Sequence, residues 1–296
     1  MSKSIPSDRQ GARDISYASS ARSKGGRALI RVVENATGRL RLINRVRGYE
    51  HEVAGGRDFW QVMVERYGLS LDVAGGRLDD IPRTGPLIVI SNHPYGILDG
   101  LMMGYILSAL RGDFRIIAHS VFRKAEDLNR VILPISFDET KAAVTQNVET
   151  RKQALRYLAE GGAIGIFPGG TVSTAPKPFG YPMDPKWRSF TAKMVTRSDA
   201  AVVPVYFDGK NSRLFQMASH LHANLRVALL IKEFRARVDE PVRVVIGQPI
   251  PRAQLNLHAH DTKSMMDFLR QQTYALSPKP LKSLGYGFEF DEKYKV

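Results

Sequence analysis

Short apolar runs separated by amphipathic stretches set the rhythm of this 296-residue chain. Leu87-Ile88-Val89-Ile90 is the densest of them. The runs at 114–118, 131–136, 163–167, 201–207 and 242–246 have a similar character. Apolar runs of that kind, without strict alternation, predict strands buried on both faces, as in a parallel sheet covered by helices. Between them, 98–110, 139–160, 187–197, 214–234 and 262–275 read as helices, and Gly161-Gly162 gives the longest a C-terminal stop. Strand and helix therefore alternate. That predicts an α/β fold: a mixed, largely parallel twisted sheet flanked by helices.

Ahead of this pattern the spacing is different. Leu29, Val32, Val33, Ala36, Leu40 and Ile43 fall on one face at helical spacing, with Arg31, Arg41 and Arg45 off it. Gly38 would weaken a free helix there by about 1 kcal/mol. A further helix is predicted over 57–66, after Gly55-Gly56. A basic amphipathic helix either lies on a membrane surface or packs its apolar side on the domain. The expected division is a disordered tail over 1–26, an amphipathic membrane-associating segment over 27–68, an α/β domain over 69–276 and a C-terminal tail over 277–296.

Charge sharpens that picture. The chain carries a formal +14 with a pI near 10.0, and residues 1–50 hold 11 Lys/Arg against 4 Asp/Glu. Such a balance favours an anionic partner: nucleic acid, an anionic membrane surface or an acidic ligand. Cysteine is absent, so disulfide frameworks, thiolate metal sites and cysteine nucleophiles are excluded. The start of the chain lacks the apolar core of a secretory signal, and no apolar run reaches the roughly 18–20 residues that span a bilayer. The expectation is a cytoplasmic protein, peripheral on the inner face of the cytoplasmic membrane.

The candidate chemistry lies at the ends of two buried strands. Leu87-Ile88-Val89-Ile90 runs into Ser91-Asn92-His93-Pro94-Tyr95-Gly96-Ile97-Leu98-Asp99-Gly100. A histidine titrates near neutrality, and a nearby acid fixes its tautomer and stabilises its charged form. Ile164-Gly165-Ile166 runs into Phe167-Pro168-Gly169-Gly170-Thr171, where paired glycines let backbone N–H groups converge on an anion and Thr171 adds a hydroxyl. The turn is not a nucleotide P-loop, because the closing Gly-Lys-Ser/Thr is missing, and no G-x-S-x-G nucleophile elbow occurs in the chain. His119 reads as structural. The pairs His220/His222 and His258/His260 read as solvated, and no metal site is expected. Trp187 suits an interfacial or a core position equally.

Taken in order, the Asn92-His93…Asp99 block, the Phe167-Pro168-x-x-Thr171 block and Val203-Pro204-Val205 resemble the glycerolipid and lysophospholipid acyltransferase family. The resemblance covers roughly residues 70–210. It implies an α/β sandwich in which His93 is general base toward a lipid hydroxyl and Asp99 orients it. The hydroxyl oxygen would attack the thioester of acyl-CoA or acyl carrier protein, with no further cofactor. Asn92, Gly96, Phe167, Pro168, Gly169, Gly170 and Thr171 would line the substrate site, together with Arg123 and Lys124.

Departures from the family pattern bear on the acceptor. Five residues rather than four separate His93 from Asp99. This matches the Asn-His-Pro-x-Gly-x-x-Asp-Gly version of haemolysin-like members and some aminolipid acyltransferases. Gly169 stands where the common pattern has Glu, and Val172 where it often has Arg. The family's phosphate grips are therefore missing, and Arg cannot be replaced by Val at a bidentate phosphate site. The resemblance thus implies a lyso-aminolipid acceptor over lysophosphatidic acid, an anionic membrane surface and no nucleic acid. Acylation of 1-acylglycerol 3-phosphate is the alternative within the family. A non-catalytic lipid binder or a nucleic-acid binder is the alternative outside it.

Overall fold

The computed structural model describes residues 16–18, 21, 23–119, 126–136 and 140–290. Seven strands form one sheet: β1 (Ser70–Gly75), β2 (Leu87–Ser91), β3 (Arg115–His119), β4 (Ile132–Ile135), β5 (Ala163–Ile166), β6 (Ala201–Phe207) and β7 (Pro241–Ile246). Their spatial order is β1-β7-β6-β2-β5-β3-β4. The five strands from β6 to β4 are mutually parallel. β7 runs antiparallel to β6, and β1 pairs parallel with β7.

Every residue of β2 is buried, which is why this stretch reads as an unbroken apolar run. Its side chains alternate between the two layers beside the sheet. Leu87 and Val89 join a core with α4 (Phe59–Arg66) and α5 (Ile97–Arg111). Ile88 and Ile90 join another with α7 (Lys141–Ala159), α8 (Phe190–Thr196) and α12 (Thr262–Tyr274). The expected α/β layering is thus present. From β2 the chain moves to β3 and β4 on one side, returns to β5 beside β2, then crosses to β6 on the other flank. Such a switch point opens a crevice at the carboxyl ends of the strands, where open α/β sheets bind ligands.

The observed elements differ from the expected ones at β1 and over 214–234. β1 was not foreseen: Ser70 to Gly75 is an edge strand of mixed polarity, and its pairing with β7 supplies what local pattern lacks. The single helix expected over 214–234 is two, α9 (Arg213–Leu221) and α10 (Ala223–Arg235). His222 is extended between them, and its Nδ1 accepts from Asn224 N–H at 3.0 Å.

The N-terminal region forms α1 (Lys24–Thr37), α2 (Arg39–Arg45) and α3 (Tyr49–Ala54), with α1 broken from α2 at Gly38, whose φ is +125°. α1 lies against α10 with Gly26, Ile30 and Glu34 buried. Part of the stripe read from the sequence looks elsewhere: Leu29, Val32 and Leu40 are 44%, 66% and 54% exposed, while Val33 packs against the core. Hydropathy counted Glu34 against the inner face. Its carboxylate is satisfied there by the Ser16 hydroxyl and the Tyr17 N–H, each at 2.6 Å. Beyond α12 the chain returns along the 174–184 loop, with Gly287 N–H donating to Asp184 O and Phe288 N–H to Thr174 O. No described helix is long and apolar enough to cross a membrane.

Candidate active site

β2 delivers the first block to the sheet edge, and the exit is locked by a side chain that behaves as backbone. Asn92 Oδ1 accepts from Phe207 N–H at 2.7 Å, and its Nδ2 donates to Phe207 O at 3.0 Å. The amide thereby pairs with the end of β6. His93 follows, its peptide held on both sides: its N–H donates to Asp184 Oδ1 at 3.2 Å, and its carbonyl accepts from Ser173 N–H at 2.7 Å.

The imidazole stacks on Phe167, with ring centroids 4.4 Å apart. Nδ1 is buried 2.9 Å from Asp99 Oδ2, a close polar contact in which the N–H lies off the line of a hydrogen bond. The His93 side chain is 18% exposed and that of Asp99 is wholly buried, so Nε2 is the ring nitrogen open to a substrate.

Asp99 reaches His93 because the turn coils tightly ahead of α5. Gly96 has φ +94° and ψ −113°, a region closed to residues with a Cβ. A Cβ there would also stand 3.2 Å from Val172 and 3.4 Å from Leu230. Asp99 Oδ2 accepts from Tyr95 N–H at 2.8 Å and Gly96 N–H at 3.0 Å, so one carboxylate both caps α5 and faces the imidazole. Burial pushes its pKa above the usual carboxylate range, against the pull of His93 and the two N–H groups.

β5, the neighbour of β2, delivers the second block. Gly170 takes φ +69° and donates back to Phe167 O at 3.0 Å. Pro168 O accepts from Arg188 N–H. Among the described residues the N–H groups of Gly169 and Thr171 have no partner. The two turns therefore meet as neighbours, with an imidazole and a buried carboxylate on one and two free donors on the other. Arg123 and Lys124 lie outside the described residues.

Two groups at this edge escaped the sequence. Asp184 is fully buried, and its carboxylate accepts from the Ser173 hydroxyl, the Trp187 indole N–H and His93 N–H. A Cβ on Gly169 would come within 3.3 Å of it, so the room beside Gly169 is taken by a carboxylate from another segment. Nothing local marks Asp184, in a Pro-rich loop. Arg226 on α10 donates to Thr171 Oγ1 at 2.8 Å, Val172 O at 2.8 Å and Thr174 Oγ1 at 2.9 Å. Its signal was readable: helical spacing from Ala223 through Leu230 and Phe234 makes position 226 an inward one.

The remaining candidates have local partners. His220 Nε2 sits 2.9 Å from Ala175 O, His222 caps α10, and His258 Nδ1 lies 2.6 Å from Ser264 Oγ. His119 ends β3. Trp187 is core, 2% exposed. Among the described residues no group of three or more His, Asp or Glu could hold a metal ion.

An imidazole whose inner nitrogen meets a buried carboxylate, beside a turn of free donors, is an arrangement compatible with transfer of an acyl group to a hydroxyl. The chain belongs to the acyltransferase family, whose model matches residues 17–282, and it is an acyltransferase of the kind that moves groups other than aminoacyl. Among its relatives is the lyso-glycine lipid O-acyltransferase of Phocaeicola vulgatus, 25% identical over 203 residues, covering 66% of this chain and 70% of that one. The protein of the same name from Bacteroides thetaiotaomicron is 26% identical over 211 residues, covering 66% and 71%. The crystal structure of the 1-acyl-sn-glycerophosphate acyltransferase PlsC from Thermotoga maritima aligns with a TM-score of 0.46 at 14% identity, over 90% of this chain and 87% of that chain.

Proposed function

We propose that the protein transfers a fatty acyl group from acyl-CoA or acyl carrier protein to the free hydroxyl of a lyso-aminolipid, at an anionic membrane surface on the cytoplasmic face. The observation that carries this is the contact between His93 Nδ1 and Asp99 at 2.9 Å, which leaves Nε2 accessible beside the glycine turn. Nε2 takes the proton of the lipid hydroxyl as its oxygen attacks the thioester carbonyl, and Asp99 stabilises the imidazolium that forms. When the tetrahedral adduct collapses, the C–S bond breaks and the proton passes from Nε2 to the departing thiolate. Ester and free thiol result, without a covalent acyl-enzyme. The free N–H groups of Gly169 and Thr171 hold a negatively charged group of the reactants. Asn92, Gly96, Phe167 and Pro168 shape the site around the base, and Phe167 supports the imidazole face. Arg123 and Lys124 add positive charge for the acceptor.

The acceptor follows from the residues and the relatives together. Val172 is buried where the family often has Arg, and Gly169 leaves its space to Asp184. Both curated relatives are named for a lyso-aminolipid acceptor, the acceptor expected from the sequence.

The test is purified protein offered a panel of lyso-lipids with each donor, beside His93→Ala, with lipid products read by mass spectrometry. Acylation of lyso-aminolipids that falls by about 10²–10⁴ in His93→Ala is expected. Robust acylation of lysophosphatidic acid in place of lyso-aminolipids would refute the acceptor. Full activity of folded His93→Ala would refute the base.

A further inference from the structure

The chain between Thr174 and Met183 is a hairpin with both roots on the peptide of His93. Thr174 N–H donates to Met183 O at 3.0 Å and closes it. Just outside that closure, Ser173 N–H donates to His93 O at 2.7 Å, and Asp184 Oδ1 accepts from His93 N–H at 3.2 Å. The far end is a turn in which Gly180 N–H donates to Lys177 O at 2.9 Å, with Pro178 at its second position. Pro176, Pro178 and Pro182 stiffen the hairpin by fixing φ. Its tip carries Phe179 and Tyr181, both exposed, and Phe179 by 72%. A fold gains stability by burying such a ring, and this one leaves it out.

α9 lies alongside. Its inner face holds the base of the hairpin, because Ala175 N–H donates to Gln216 Oε1 at 2.9 Å and His220 Nε2 meets Ala175 O at 2.9 Å. Lys210, just ahead of α9, sets its ammonium 5.4 Å from the centre of the Tyr181 ring. The inner face buries Phe215 and Ala218, yet the outer face is apolar too. Leu214, Met217 and Leu221 follow one another at i, i+3 and i+7 and all are exposed, Leu221 by 71%. A helix that is apolar all round is one that is covered all round. The domain covers only one side of this one.

Charge identifies the missing cover. No Asp or Glu occurs over 171–183 or over 209–232, whereas Lys177, Lys210 and Arg213 are exposed beside the apolar side chains. Apolar side chains among cations, with no acid between them, match an anionic lipid layer. Rings and aliphatic chains enter below the headgroups, and Lys and Arg reach the phosphates. A folded acidic partner would answer the cations but needs a shaped pocket for each projecting side chain. A fluid acyl layer takes a ring on a turn and three side chains on a helix together. We propose that the 176–181 tip and the outer face of α9 seat the protein on an anionic bilayer, and that the hairpin, rooted on the His93 peptide, sets the height of the imidazole above the lipid. This deepens the membrane setting proposed above and rests on it.

Two double variants probe the surface from separate elements, with α1 and α2 left intact: Phe179→Ser/Tyr181→Ser and Met217→Ser/Leu221→Ser. The full chain is co-sedimented with vesicles of phosphatidylglycerol and phosphatidylcholine, a readout that needs no turnover. Each variant should lower the vesicle partition coefficient about tenfold with Tm unchanged. Lys177→Gln/Lys210→Gln/Arg213→Gln should lower it about 10–100-fold on these vesicles and little on phosphatidylcholine alone. Activity toward lyso-aminolipid carried in vesicles should fall in step, while activity toward a short-chain lyso-aminolipid dissolved as monomers stays within about twofold. Vesicle binding equal to wild type in either double variant would overturn the assignment, and a raised KM for acyl carrier protein in its place would give the surface to that protein. A loss on monomers equal to the loss on vesicles would also overturn it and leave the hairpin a purely structural hold on His93. Failure of wild type to acylate any lyso-aminolipid would sink the function proposed above, and sedimentation would still judge the surface.

Discussion

Replacing Asp99 with Asn separates what the carboxylate does for the reaction from what it does for the fold. Asn retains an oxygen for the N–H groups of Tyr95 and Gly96, so the cap on α5 survives, while the charge opposite the imidazole is lost. At the observed 2.9 Å, a unit pair attracts by about 6 kcal/mol at an effective dielectric of 20. The His93 side chain is 18% exposed, and solvent on that side reduces the interaction to roughly half. About 3 kcal/mol of lost stabilisation of the imidazolium is roughly 10²–10³ in kcat. The KM for the acceptor should stay within about threefold, because the charge acts on the transition state.

Stability should move the other way. Asp99 titrates above the unfolded carboxylate because of burial. Between those two values the folded chain holds a proton that the unfolded chain does not, so stability falls as pH rises through the window. Asp99→Asn lacks that slope. Its Tm should equal or exceed that of wild type at pH 7.5, and the advantage should shrink as the pH is lowered toward 4. Thiol release under saturating donor reads the kcat, and thermal melts across pH read the slope. A loss in kcat below about fivefold in a folded variant, or a Tm advantage that grows on acidification, would refute the reasoning.

Two further expectations follow. Gly96→Ala places a Cβ at φ +94° and 3.2 Å from Val172; it should cost about 1–3 kcal/mol of stability and most of the activity, and a fully active variant with unchanged Tm would refute the role given to this glycine. Leu29→Ser/Val32→Ser/Leu40→Ser removes exposed apolar surface from α1 and α2 without touching the buried Ile30 and Glu34. Co-sedimentation with anionic vesicles should fall severalfold with Tm unchanged, and equal sedimentation would remove this ridge from the membrane surface.

The frame of the fold was legible because β2 and β5 are buried on both sides, and full burial writes itself as an unbroken apolar run. His93, Asp99 and the glycine turn were legible for the same reason, since each follows such a run directly. Where packing partners rather than local pattern decide, legibility ended. β1 exists through β7, and the helix expected over 214–234 breaks at His222 without a Pro or Gly to announce it. The inner face of α1 is built on a carboxylate, which hydropathy assigns to water. Asp184 acts through groups far along the chain. Arg226 was the readable exception, a charge at an inward helical position.

The clamp at Asp184 has a consequence for the order of synthesis. Its backbone N–H donates to the Tyr274 hydroxyl at 2.8 Å, and its carbonyl accepts from Arg270 at 3.2 Å; both belong to α12. The same residue holds the peptide of His93. A ribosome delivers His93 early, but the piece that steadies the loop behind it arrives only with α12. Such long-range closure is slow and comes late. An unfinished chain would carry the histidine without the carboxylate frame that holds its peptide in place.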